Sequence, residues 1–254
     1  MLDLVLGLAA GLVIALLTTP AGVSGAVFLL PVQLSLLAVP NPAVTPTNLL
    51  FNVVSGPGAL LRYGRRGALT GPLTRLMLRG TLPGVIVGAL LRVYAVPGPR
   101  AFRIIVAVFL LPLGAWLCVR TVRTGVPIRA EPSPRSVTLL SLAVGVVGGI
   151  YGIGGGSLLG PILVGRGMPV AVVGPAALAS TFVTSIVGAG TFALLALGAE
   201  GAVAPHWQVG LSCGAGGLIG GYLGARLQPH LPETGLRLLL GALATSIGLL
   251  YLAS

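Results

Sequence analysis

Ten apolar segments follow one another along this chain, and the gaps between them are too short to build a water-soluble layer. They lie at roughly 2–19, 24–39, 43–61, 70–91 and 101–119, then at roughly 137–150, 157–165, 170–197, 205–225 and 236–252. A helix needs about 20 apolar residues to cross the hydrocarbon of a bilayer. Charged residues make up only 7% of the 254 positions, against roughly 25% in a soluble domain. The surface cannot be covered by polar side chains, so lipid must solvate most of it. The expected fold is all-α and integral to the membrane, one transmembrane domain spanning 1–254.

The 15 basic residues are all arginine and outnumber four acidic ones. They sit in gaps between apolar runs rather than in a stripe or tail. That distribution marks topology and argues against a nucleic-acid partner. With no lysine, a Walker or Schiff-base lysine is excluded. Arg62, Arg65, Arg66, Arg75 and Arg79, with the four arginines of the 120–136 linker, put nine positive charges on one side, read as cytoplasmic. The chain is then a multi-pass protein of the cell inner membrane with both termini periplasmic. Arg92, Arg100 and Arg103 run against this pattern. The N-terminal run lacks a basic leader and is read as a retained helix. Cys118 and Cys213 lie inside apolar runs, as buried packing residues do.

The two halves resemble each other. Thr19-Pro20-Ala21-Gly22-Val23-Ser24-Gly25, with Pro31 beyond, matches Gly149-Ile150-Tyr151-Gly152-Ile153-Gly154-Gly155, with Pro161 beyond, at an offset of 130. Asn48, Asn52, Gly56 and Gly58 fall opposite Ser180, Thr184, Gly188 and Gly190. Gly84 and Gly88 fall opposite Gly217 and Gly221. These blocks predict repeats over 1–122 and 136–254 joined by a cytoplasmic linker at 120–136. Five segments per repeat is odd, so the second repeat is expected to be inverted.

Gly152-Ile153-Gly154-Gly155-Gly156-Ser157 is the strongest local signal. Such a cluster at membrane depth breaks a helix and frees backbone groups that lipid cannot satisfy. It must be buried or line a cavity. The segment from Ser157 to Gly165 spans only about 14 Å as a helix, so a glycine-broken or re-entrant half-helix is expected, opened by Ser157. Gly22, Ser24 and Gly25 would form its twin. Two helix N-termini meeting near the midplane suit an anion. Gly154, Gly155, Gly156 and Ser157 therefore join Gly22, Ser24 and Gly25 as candidate binding residues. The pairs Gly7/Gly11, Gly84/Gly88 and Gly217/Gly221 read instead as helix packing.

A second polar set is intramembrane. Asn48, Asn52 and Ser55 share one helical face, as do Ser180 and Thr184. Neutral donors of this kind replace part of an anion's hydration shell, or else bond neighbouring helices. Arg79 is a candidate for the inner mouth, with snorkelling to the headgroups as the alternative. His206, beside Trp207, reads as an interfacial anchor. No carboxylate lies deep in a span, which argues against an enzyme or a carboxylate-based cation pump.

The Gly-Ile-Gly-Gly-Gly-Ser-x-x-x-Pro run at 152–161, the Thr47-Asn48 helix and the Tyr63-Gly64-Arg65-Arg66-Gly67 turn resemble the sulfite exporter TauE/SafE family of membrane permeases, over essentially the whole chain. The resemblance implies transport of a sulfur-containing oxyanion: sulfite, an organosulfonate or thiosulfate. The first repeat departs from the glycine pattern, with Ser24, Ala26 and Val27 opposite Gly154, Gly156 and Ser157. The partners expected are a small anionic substrate and the bilayer, with no cofactor or metal, and a homodimer is an assembly the sequence allows. Another small anion such as a carboxylate, or a role as a membrane subunit of a larger complex, are the competing readings.

Overall fold

The computed structural model describes residues 2–40, 43–65, 69, 71–95, 99–124, 132–197 and 204–253, and side chains for all of these except 2, 99–107, 109, 110, 113, 124, 247, 251 and 253. Arg66 and Gly67 of the turn, positions 125–131 of the linker and the gap with Glu200 lie outside the described residues.

Among the described residues every regular element is helical. In chain order the α-helices are α1 (Leu2–Thr18), α2 (Ala26–Ser35), α3 (Val44–Gly64), α4 (Pro72–Tyr94) and α5 (Pro99–Thr124). They continue with α6 (Pro134–Tyr151), α7 (Gly155–Gly165), α8 (Val170–Ala196), α9 (Trp207–Leu227) and α10 (Glu233–Ala253). Short 3₁₀ turns at Thr19–Ala21 and Gln228–His230 follow α1 and α9. Five stretches, Asp3–Ala21, Pro72–Tyr94, Pro134–Tyr151, Val170–Ala196 and Glu233–Leu250, are long and apolar enough to cross a membrane. Proline opens α4 at Pro72 and α6 at Pro134, where a missing N–H costs nothing. Ser133 caps α6 by accepting from the Ser136 N–H at 3.3 Å.

The polarity of the bundle is turned outward. Val5, Leu8, Val13 and Leu17 of α1, Ile86, Val87, Leu90 and Leu91 of α4, and Leu211, Ile219 and Leu223 of α9 are exposed. Asn48, Ser141, Ser180, Thr184 and Ser185 are each 0% exposed. Apolar side chains outside and polar ones inside is the arrangement lipid demands. This is an integral membrane protein of the all-α class.

Glycine sets the helix pairing. A Cβ at Gly216, Gly220 or Gly224 of α9 would press on the carbonyls of Leu8, Leu12 and Leu16 in α1. A Cβ at Gly80, Gly84 or Gly88 of α4 would press on those of Thr138, Leu142 and Val146 in α6. The three carbonyl positions differ by 130 between the pairs, carbonyl for carbonyl. Close backbone approach of this kind replaces the hydrophobic drive that lipid cannot supply. The glycines matching Gly84 and Gly88 by contact are thus Gly220 and Gly224, one turn face away from Gly217 and Gly221. Gly217 packs on Phe51 and Ser55 of α3 instead, and Gly221 has looser contact with Ala59. α5 pairs with α10, where Gly241 receives the Cys118 thiol and Gly114 meets the Gly241 carbonyl. Cys118 and Cys213 are both free, and Cys213 is buried.

Candidate functional site

Two breaks define the centre of the molecule. α1 runs through the Thr19–Ala21 turn to Gly22, at φ +77°. α6 ends at Tyr151 and Gly152, at φ +71°, and Gly154 follows at φ +69°. Side chains strain in that left-handed region, which glycine enters freely. The breaks sit 130 residues apart, as the sequence blocks predict. Each releases a short helix, α2 of 10 residues and α7 of 11, about 15–16 Å long and half a hydrocarbon core. The second differs in detail from expectation. α7 opens at Gly155 with Gly154 as its cap, so Ser157 is its third residue rather than its first. The Ser157 hydroxyl folds back to donate to the Ile153 carbonyl at 2.8 Å.

A helix that stops inside a membrane leaves carbonyls without partners. Side chains from neighbouring helices take them up. At the first break, Gln228 donates to Pro20 O at 2.9 Å and Tyr63 to Thr19 O at 3.3 Å. At the second, Thr45 donates to Ile150 O at 3.3 Å and Asn52 Nδ2 to Gly152 O at 3.4 Å. The Arg92 guanidinium in turn donates to the Thr45 hydroxyl at 3.3 Å. Arg92 is only 6% exposed, so this arginine, which runs against the charge pattern, is an internal residue and not a loop charge.

Asn52 belongs to both breaks. Its Oδ1 accepts from the Ser24 hydroxyl at 2.5 Å, and Ser24 Oγ also accepts from the Ala26 N–H at 3.2 Å. One turn earlier, Asn48 Nδ2 donates to Ala26 O at 2.9 Å, while its Oδ1 is buried with no partner. The face shared by Asn48, Asn52 and Ser55 therefore points at the start of α2. Beside it lies a small cavity of about 30 Å³, lined by Thr19, Ser24, Gly25, Asn52, Ser55 and Thr181 among apolar neighbours from α1, α3, α8 and α9. This is room on the order of one water. The polar lining is neutral throughout, and Gly25, the residue before α2, brings that helix's N-terminal end to the wall.

The remaining candidates lie around this cavity rather than on it. Gly22 touches Gly174 of α8. A Cβ at Gly154 would meet Thr181 and come 3.2 Å from the buried, partnerless Ser185 hydroxyl. Gly155 abuts Thr81, and Gly156 abuts the Ala177 carbonyl. Ser157 reaches the cavity lining indirectly, 3.4 Å from Thr181 Oγ1, and itself borders a separate apolar void of about 10 Å³. Ser180 bonds the Thr81 hydroxyl at 3.1 Å, and Thr184 bonds back to Ser180 O at 2.6 Å. Arg79 is exposed on the flank between α4 and α6, in a groove with Arg135. His206 donates its backbone N–H to Thr47 Oγ1 at 2.8 Å, tying the start of α9 to α3.

Sequence reasoning missed Thr45, Tyr63, Arg92 and Gln228 as partners of the breaks. Arg92 carried a signal, being a charge inside the run Leu90-Leu91-Arg92-Val93. Gln228 and Tyr63 carried none, since their role depends on which carbonyl faces them.

A second cavity, about 330 Å³, opens between the ends of α3 and α9 and the start of α8, lined by Tyr63, Pro175, Gln228 and Glu233 among others. Two of its lining residues, Tyr63 and Gln228, are the donors to the carbonyls of the first break. No curated protein and no solved structure matches the chain. A family model does, described as sulfite exporter TauE/SafE, over residues 7–251. A membrane bundle with two glycine breaks, matched along nearly its whole length, belongs to the sulfite exporter TauE/SafE family.

Proposed function

We propose that the chain carries a small sulfur-containing oxyanion across the cell inner membrane by alternating access, binding it between the two breaks. The observation that carries this reading is the small polar cavity beside Asn52, the side chain bonded to both breaks. Its neutral hydroxyls and the N-terminal end of α2 supply donors without a fixed charge, as suits an ion that must also leave. The partnerless Ser185 hydroxyl beside Gly154 extends the polar wall toward the second break. At about 30 Å³ the cavity is narrow for a sulfite ion, and in this reading it widens to load.

The repeats over 1–122 and 136–254 are the moving parts in this reading, and the matched glycine contacts of α1–α9 and α4–α6 support the duplication. Inversion of the second repeat, periplasmic termini and the cytoplasmic 120–136 linker belong to the same proposal. Access from one side runs through the 330 Å³ vestibule, which Tyr63 separates from the cavity. On α3, Ala59 lines the cavity and Tyr63 the vestibule. On α8, Leu178 lines the cavity and Pro175 the vestibule. Tyr63, 1% exposed, belongs to one packed cluster with Ala59 and Leu178, and in this reading its ring is the barrier.

Flux into proteoliposomes containing only this protein tests the function. Sulfite or thiosulfate should accumulate and small carboxylates should not. Carboxylate flux alone would move the substrate to the competing class, and absence of all flux would favour a subunit of a larger complex.

A further inference from the structure

We propose that the groove between α4 and α6 at Arg79 and Arg135 is a binding site for an anionic phospholipid. Leu76, Arg79, Pro134, Arg135, Thr138 and Leu139 line a groove of about 440 Å³. Both arginines are exposed, on adjacent helices. The close contact of Gly80 with Thr138 O fixes their level. Arg79 then lies about one helical turn below the start of α6, on a helix long and apolar enough to cross a membrane. Arg166 donates to the Ser136 hydroxyl at 3.0 Å, adding a third cation near the same helix start.

The surface leading away from the arginines is apolar. Leu139 is 66% exposed, Leu142 37%, and Ile86 and Val87 of α4 are 40% and 45% exposed. Two cations above a continuous apolar flank match the two parts of one molecule, a phosphodiester headgroup and its acyl chain. A free anion matches only the first part. The cavity near Asn52 shares no lining residue with the groove, so this inference stands apart from the transport reading.

Native mass spectrometry of the purified full chain tests it, with phosphatidylglycerol and phosphatidylcholine of equal chain length at equal concentration. One basic residue at an anionic surface contributes roughly fivefold, so the wild type should retain the anionic lipid on the order of tenfold or more over the zwitterionic one. Arg79→Gln combined with Arg135→Gln should bring that ratio to about twofold, and Arg79→Lys with Arg135→Lys should restore most of it. Leu139→Asn should weaken retention of both lipids. Soluble glycerol phosphate, the same headgroup chemistry without a chain, should compete poorly. An unchanged ratio in the double glutamine variant with an unchanged melting temperature overturns the proposal. So does glycerol phosphate binding as tightly as the lipid, which would make the groove a site for free anions.

Discussion

Asn52 donates to the Gly152 carbonyl across 3.4 Å, and 100 residues of chain separate the two. The other end of the same carboxamide accepts from Ser24. One side chain of α3 thus holds the first break and the second at once. Asn52→Leu keeps the bulk and removes both bonds. It should lower stability by about 1–3 kcal/mol, because the Gly152 carbonyl loses this donor and the buried Ser24 O–H loses its acceptor. Anion flux should fall on the order of tenfold or more, since 1.4 kcal/mol of lost site stabilisation is already that much. Thermal unfolding in detergent and proteoliposome flux are the measurements. Wild-type flux in this variant would remove Asn52 from the site.

Ser24 and Ser157 stand beside the first and the second break but face different surroundings. Ser24 lines the small cavity and donates to Asn52 there, whereas the Ser157 hydroxyl is spent on Ile153 O outside the lining. Ser24→Ala should weaken sulfite affinity roughly ten- to hundredfold, the range of one hydrogen bond to a charged group. Ser157→Ala should weaken it less, acting only through Thr181. Titration calorimetry on both variants, with melting temperatures in the absence of ligand, separates binding from folding. The opposite order would make the second break the dominant half of the site.

Gly156 is a packing position as well as part of the break. A methyl group there would overlap the Ala177 carbonyl. Gly156→Ala should therefore push α7 away from α8 and destabilise the protein by about 1–3 kcal/mol. Gly190 has nothing within 4 Å of its would-be Cβ, and Gly190→Ala should stay within about 0.5 kcal/mol of wild type. Equal melting temperatures for the two variants would contradict the packing seen here.

The bundle and its breaks were legible because each follows from a local rule. Apolar length gives the spans, and consecutive glycines give the interruption. Register between helices was not legible. The run Gly216-Gly217 followed by Gly220-Gly221 offers two faces of α9, and only contact with Leu8, Leu12 and Leu16 selects Gly216, Gly220 and Gly224. The Asn48, Asn52 and Ser55 face was readable from spacing, but its meeting with Ser24 was not. The start of α7 was misplaced by two residues, because glycine has low helix propensity while burial among Thr81, Ala177 and Thr181 overrides that preference.

The proposed topology rests on the arginine distribution. In a background with Cys118 and Cys213 replaced, Pro127→Cys should react with an impermeant thiol reagent only from the cytoplasmic side. Labelling from the periplasmic side in intact cells would reverse the assignment of both faces.

Tyr63 offers the most direct test of the access route. Its hydroxyl holds Thr19 O at 3.3 Å, a bond worth about 0.5–1.5 kcal/mol, weak enough to break during each cycle. Ala59, on the cavity side of the ring, is 4% exposed, whereas Leu231 on the vestibule side is 40% exposed. In the same cysteine-free background, Ala59→Cys should react slowly with an impermeant reagent, and Leu231→Cys rapidly. Adding Tyr63→Ala should speed the reaction at position 59 by about tenfold or more and leave position 231 unchanged. Tyr63→Phe keeps the ring and loses only the latch, so it should give a smaller rise, roughly two- to tenfold by the value of that one bond. Sulfite should protect position 59 if the anion occupies the cavity. A labelling rate at position 59 indifferent to both Tyr63 substitutions, in variants that melt as the wild type does, would place the barrier elsewhere, even with sulfite transport intact.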